Sequence, residues 1–117
     1  MAMAKIEENA FKTEDEATAM AKEAGFFPVT IEREAYDLGD HWHDFNAMIF
    51  LLDGDLTVTD CAGGETRTCG AGTIIHATKN VLHRERTNGY RAVIGLDRDP
   101  TALTMPIDKA PEELPVQ

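Results

Sequence analysis

The chemistry this sequence offers rests on histidine. Residues 41–54 read HWHDFNAMIFLLDG, and residues 70–87 read GAGTIIHATKNVLHRERT. His41 and His43 lie one residue apart, so on a strand their side chains share a face. Two imidazoles on one face can chelate a single ion. A neutral imidazole nitrogen is a good donor to zinc, iron, nickel or copper. The competing reading is two surface histidines beside a turn, paired with Asp40 and Asp44. His83 supplies a third imidazole. Glu85 follows it by two residues and shares its face, to orient a ligand histidine, to act as a general base, or to pair with Arg84, Arg86 or Arg33 in a salt bridge. His76 is expected on the outer face of its strand. Cys61 and Cys69 are spaced for neither a metal site nor catalysis, and are expected as reduced thiols.

The elements that position these groups read as mainly β. Val29, Ile31 and Arg33 alternate with Thr30, Glu32 and Glu34, a strand period. Turn signals then recur at Leu38-Gly39-Asp40, Asp53-Gly54, Ala62-Gly63-Gly64, Gly70-Ala71-Gly72, Lys79-Asn80 and Asn88-Gly89. Such dipeptides tolerate positive φ and mark short antiparallel strands in a sandwich or barrel. Taking Asp53-Gly54 as a two-residue hairpin turn pairs Leu51 with Leu56, Ile49 with Val58, and Ala47 with Asp60. That register places His41, His43, Phe45, Ala47, Ile49 and Leu51 on the interior face. It also places Asp60 where it could add a ligand oxygen. Trp42 points the other way, toward the helix or a second subunit, and Phe45 is a candidate wall of the interior.

Before the strands, Thr13-Glu-Asp-Glu16 forms a capping box and predicts a helix over 13–24. Its apolar face is Ala17, Met20, Ala21 and Ala24. After them, Pro100, Pro106, Pro111 and Pro115 exclude further sheet, leaving a loose tail or an arm across a partner subunit. The expected organisation is a helical segment at 1–27, a β-barrel at 28–97 and a proline-containing tail at 98–117.

With 117 residues the chain supports one core, and 43% hydrophobic with 27% charged residues is a globular composition. The net charge of -10 repels phosphate backbones and argues against nucleic acid. The longest apolar run, Ala47–Leu52, is too short to span a bilayer. The start MAMAKIEENAF lacks a secretory pattern, so a cytoplasmic location is expected.

The spacing of these groups resembles the two motifs of the cupin superfamily, G-x5-H-x-H-x3-4-E-x6-G and G-x5-P-x-G-x2-H-x3-N. The first falls on His41, His43 and Gly54. The second falls on Gly72, Thr78 at the Pro position, Asn80 at the Gly position, His83, and Thr87 at the Asn position. Ala35 stands at the first glycine, and Ala47 replaces the usual glutamate ligand. The resemblance covers about residues 28–97 and implies a small antiparallel β-barrel of cupin (jelly-roll) type, similar to small bacterial single-domain cupins with an N-terminal helix. It implies one divalent transition metal (Fe, Zn, Ni or Mn) on His41, His43 and His83. It further implies a small-molecule ligand or substrate, a homodimer, and either a three-histidine oxygenase or a non-catalytic binding or sensor module.

Overall fold

A computed structural model of the chain describes residues 4–61, 64–103 and 107–114. In chain order the elements are β1 (Ala4–Glu7), α1 (Glu14–Glu23), β2 (Phe27–His41), β3 (Ala47–Gly54), β4 (Leu56–Asp60), β5 (Thr66–Cys69), β6 (Ile74–Ala77) and β7 (His83–Leu96). Two 3₁₀ turns follow at Pro100–Ala102 and Pro111–Glu113. All strand pairings are antiparallel, and the sheet curls in the order β1-β6-β3-β7-β4-β5, with β2 on the other edge of β7. This is the mainly β architecture that the turn pattern and the resemblance predict.

The Asp53-Gly54 hairpin does not form. β3 and β4 both pair with β7, one beyond the other, through Ala47↔Leu96 to Gly54↔Tyr90 and then Thr57↔Arg86 to Asp60↔His83. Gly54 instead bends a nearly continuous strand. Its φ is +85°, and a Cβ there would lie 2.0 Å from the Gly89 carbonyl oxygen. Ala47 accordingly faces Leu96 and Ala77, not Asp60.

Asn88-Gly89 and Leu38-Gly39-Asp40 are not turns either. The first lies inside β7, and the second is an irregularity near the end of β2. At Gly54 and Gly89 the buried face changes parity. Ile49 and Leu51 give way to Leu56 and Val58 along β3 and β4, and along β7 Thr87 is followed by Tyr90 and Ala92. Strands that bend this way turn the corner of a curled sheet. The interior set expected from sequence therefore survives, because the bend restores the parity that the hairpin would have given. Lys79-Asn80 does turn the chain, and Asn80 takes φ +60°. Ala62-Gly63, Pro106 and Pro115 lie outside the described residues.

α1 begins at Thr13, whose hydroxyl accepts from Glu16 N–H at 3.1 Å. It stops before Gly25, at φ +85°. Ala17 and Ala21 are fully buried among Phe11, Met48, Phe50, Ile74 and Val93 on the convex side of the sheet, whereas Ala24 is exposed. Small residues let the helix approach closely: a Cβ on Gly95 would stand 3.3 Å from that of Ala21. The concave side is lined by Leu51, Leu56, Val58, Ile75, Tyr90 and Ala92.

Strand β1 had no sequence signal, and is held as an outer neighbour of β6. Part of the C-terminal segment is held by its own chain. Its residues 107–110 fold back on their own chain, where Lys109 and Trp42 exchange backbone hydrogen bonds of 3.0 and 3.2 Å. Trp42 is buried beneath this segment rather than against α1, and its indole N–H donates to the Ala110 carbonyl at 2.7 Å.

Candidate metal centre

His41 ends β2 and His83 begins β7, and the β2–β7 ladder sets the two directly opposite. His43 lies in the connection between β2 and β3, not on one strand with Ala47. Two backbone bonds fix that connection: Asn80 N–H to the His43 carbonyl at 2.8 Å, and Asp97 N–H to the Asn46 carbonyl at 3.1 Å. The structure thus brings the three imidazoles together. Ring centroids are 4.2 Å apart for His41 and His83, 5.0 Å for His43 and His83, and 5.1 Å for His41 and His43. One ring nitrogen from each lies within 4.8 Å of the others.

The second nitrogen of each ring is already committed. Nδ1 lies 2.7 Å from the Gly39 carbonyl in His41, 3.0 Å from Ile107 in His43, and 3.0 Å from Val81 in His83. A carbonyl oxygen only accepts, so each Nδ1 must carry its proton and each neutral ring presents a bare Nε2. Metal-bound histidines are oriented in this same way.

Nε2 of His41 is buried and has no hydrogen-bond partner. With the Glu85 and Asp108 carboxylates at 3.6 and 3.9 Å, this nitrogen is placed to take either a proton or a metal ion, and either would satisfy it. Burial lowers the pKa of His83, which keeps that ring neutral and able to donate a lone pair. In His41 burial also disfavours the charged ring, but the Glu85 carboxylate, the Gly39 carbonyl and Asp108 outweigh it and hold its pKa above the ordinary value. The donor set fits a divalent transition metal.

Glu85 is 14% exposed, with Oε1 3.6 Å from His41 Nε2. Burial pushes its pKa up, but the neighbouring His41 and the fields of His83 and His43 prevail, leaving it below the usual carboxylate range. Asp60 is in register with His83 and fully buried, but is not a member of the three-histidine group. His76 is apart from the group as well, with Nε2 2.5 Å from Glu7 Oε2. Cys61 and Cys69 form no disulfide.

One carboxylate near the histidines carries no signal in the sequence. Asp108 places Oδ1 3.9 Å from His41 Nε2 and 3.7 Å from His43 Nδ1. It lies between Pro106 and Pro111, in a stretch with no period to mark it.

His43 and His83 open onto a cavity of about 300 Å³ inside the curled sheet, with His41 buried behind them. Its walls are aliphatic, including Val29, Ile31, Ile49, Ile75 and Ile94, with Phe45 stacked on His43 at 5.2 Å. Ala47 lines it too, as do the polar residues Glu85, Tyr90 and Arg33.

No family model matches the chain, and no curated protein matches it by sequence. Solved structures do. A DUF861 family protein from Thermotoga maritima superposes with a TM-score of 0.59 at 21% identity, over 80% of this chain and 98% of that one. A protein from Neisseria meningitidis gives 0.53 at 29% identity, over 62% and 73%. The polyketide cyclase RemF from Streptomyces resistomycificus gives 0.50 at 21%, over 62% and 56%. At this level the likeness is one of fold. Among the described residues, no helix is long and apolar enough to cross a membrane.

Proposed function

The chain has the cupin fold, and from that premise we propose that it is a metal-dependent enzyme acting on a small, largely apolar organic molecule, as an oxygenase. One observation carries this reading: three histidines, each with Nδ1 tied to a carbonyl, converge, and two of them, His43 and His83, stand in the wall of an apolar cavity. His41, His43 and His83 would hold the ion. A bound transition metal supplies Lewis acidity and, with iron, a redox couple.

The chain's own residues do the rest. The aliphatic walls bind the body of the substrate and exclude water. Phe45 packs beside His43 and limits which end of the substrate can approach. Glu85, held ionised, accepts a proton from the substrate at Oε1. Three protein ligands leave coordination positions open for reactants.

A second reading has its own support. Ala47 makes the wall apolar where the family motif carries glutamate, which suits a non-catalytic binding or sensor module. Oxygen uptake by iron-loaded protein, with thiols and diketones of this size, separates the two. Uptake that falls in Glu85→Gln while metal content holds supports the enzyme. No uptake from a fully iron-loaded sample, with binding of the same compounds retained, sinks it in favour of the binding module. A homodimer and a cytoplasmic location remain part of the proposal. Sedimentation tests the first and cell fractionation the second.

A further inference from the structure

Three neutral imidazoles leave a divalent cation uncompensated inside a cavity with aliphatic walls. Charges in such a place interact more strongly than in water, so a nearby anion is worth more there. The position that usually supplies one carries Ala47. Among the described residues, two carboxylates reach the imidazoles. Glu85 lies within 4 Å of one of them, at 3.6 Å from His41. Asp108 lies 3.9 Å from the same His41 nitrogen, and its 3.7 Å approach to His43 is to Nδ1, on the side of that ring turned to the Ile107 carbonyl. Asp108 lines the same cavity as His43 and His83 and is 44% exposed, so its side chain, outside the three-histidine group as placed, is free to turn.

The backbone around Asp108 is anchored on both sides. The carbonyl of Ile107 accepts from His43 Nδ1–H at 3.0 Å. Lys109 exchanges two backbone bonds with Trp42, the residue between the two ligand histidines. Ala110 accepts the Trp42 indole N–H. A free tail would not need four bonds to the HxH segment, and these fix the one carboxylate in the stretch against the cluster.

We propose that Asp108 is the carboxylate ligand of the centre, supplied by the C-terminal segment in place of the glutamate missing at Ala47. The site is then three histidines and one carboxylate, assembled from both ends of the barrel sequence. This rests on the three-histidine reading, and the experiment keeps the two separable.

Metal-free full-length protein is titrated with Co²⁺, following the visible d–d bands and the Kd. Asp108→Asn keeps the shape of the side chain but is a much poorer ligand. It is expected to weaken Co²⁺ at least as much as the roughly tenfold to hundredfold seen when residues supporting metal ligands are lost. Its bands should shift, and its metal-free Tm should stay that of the wild type. Asp108→Glu should recover part of the affinity, and Glu112→Gln, in the same segment, should change nothing. An unchanged Kd and spectrum in Asp108→Asn, with binding abolished in His83→Ala, overturns the role of Asp108 and leaves the three histidines standing. Loss of binding in Glu85→Gln but not in Asp108→Asn transfers the role to Glu85 and likewise overturns it. A wild-type protein that takes up neither Co²⁺ nor Zn²⁺ removes both readings.

Discussion

The backbone N–H of Asn80 donates to the carbonyl of His43 at 2.8 Å. This bond joins the turn of the second histidine motif to the connection that carries the first. Asn80 can make it because it adopts φ +60°, a conformation most residues resist. Asn80→Ala should cost about 1–2 kcal/mol in urea denaturation, whereas Asn80→Gly should be close to neutral. Equal losses in both variants would mean that the asparagine side chain, and not the backbone angle, matters.

Metal content should follow the geometry of the rings. Tag-free wild-type protein is expected to carry about one transition-metal ion per chain. His43→Ala and His83→Ala should lose it. His76→Ala should keep it, because that ring is bonded to Glu7 outside the three-histidine group. Elemental analysis of the four proteins decides, and retention in His43→Ala would refute the ligand set.

Gly54→Ala should be the most damaging single methyl group in the sheet. Its Cβ would lie 2.0 Å from the Gly89 oxygen and 2.8 Å from the Tyr90 Cα, both backbone atoms with little room to move, at a φ of +85°. A loss of about 3 kcal/mol or more is expected by chemical denaturation. A loss below about 1 kcal/mol would show that the bend relaxes freely.

Acid should loosen the connection bearing His43. Asp97 accepts the Asn46 N–H at 2.8 Å and the Arg98 Nε–H at 2.9 Å. Burial raises its pKa, but Arg98 and Asn46 outweigh this and hold it below the usual carboxylate range. A depressed carboxyl pKa stabilises the fold above the unfolded value, about 3.9, and that stability is lost as pH falls through the folded value. The denaturation midpoint of the wild type should therefore drop more steeply below about pH 4 than that of Asp97→Asn. Parallel pH profiles for the two proteins would exclude the bond as a source of stability.

Much of this could be read from residue types. The capping box at Thr13 and Glu16, the strand alternation and the histidine spacings carry their own local physics, and the helix, the β class and the three-ring group follow from them. Pairing partners did not follow. Asp53-Gly54 and Asn88-Gly89 satisfy the local rule for hairpins, yet here glycine serves close strand crossing and a bend. Only the fold sets the Gly89 carbonyl against Gly54. The interior face is the same under either pairing, since a bend and a hairpin restore the same parity. Asp108 and the backing of Trp42 by Ala110 depend on contacts more than sixty residues apart in sequence, which no local pattern encodes.

Because β7 is the shared neighbour of β2, β3 and β4, its amides have no cheap local route to solvent. Peeling away one flank still leaves the other in place, so hydrogen exchange from 83 to 96 should require opening of the whole molecule. The ring at the head of that strand is then the last of the three to be released, and the one on the β2–β3 connection the first.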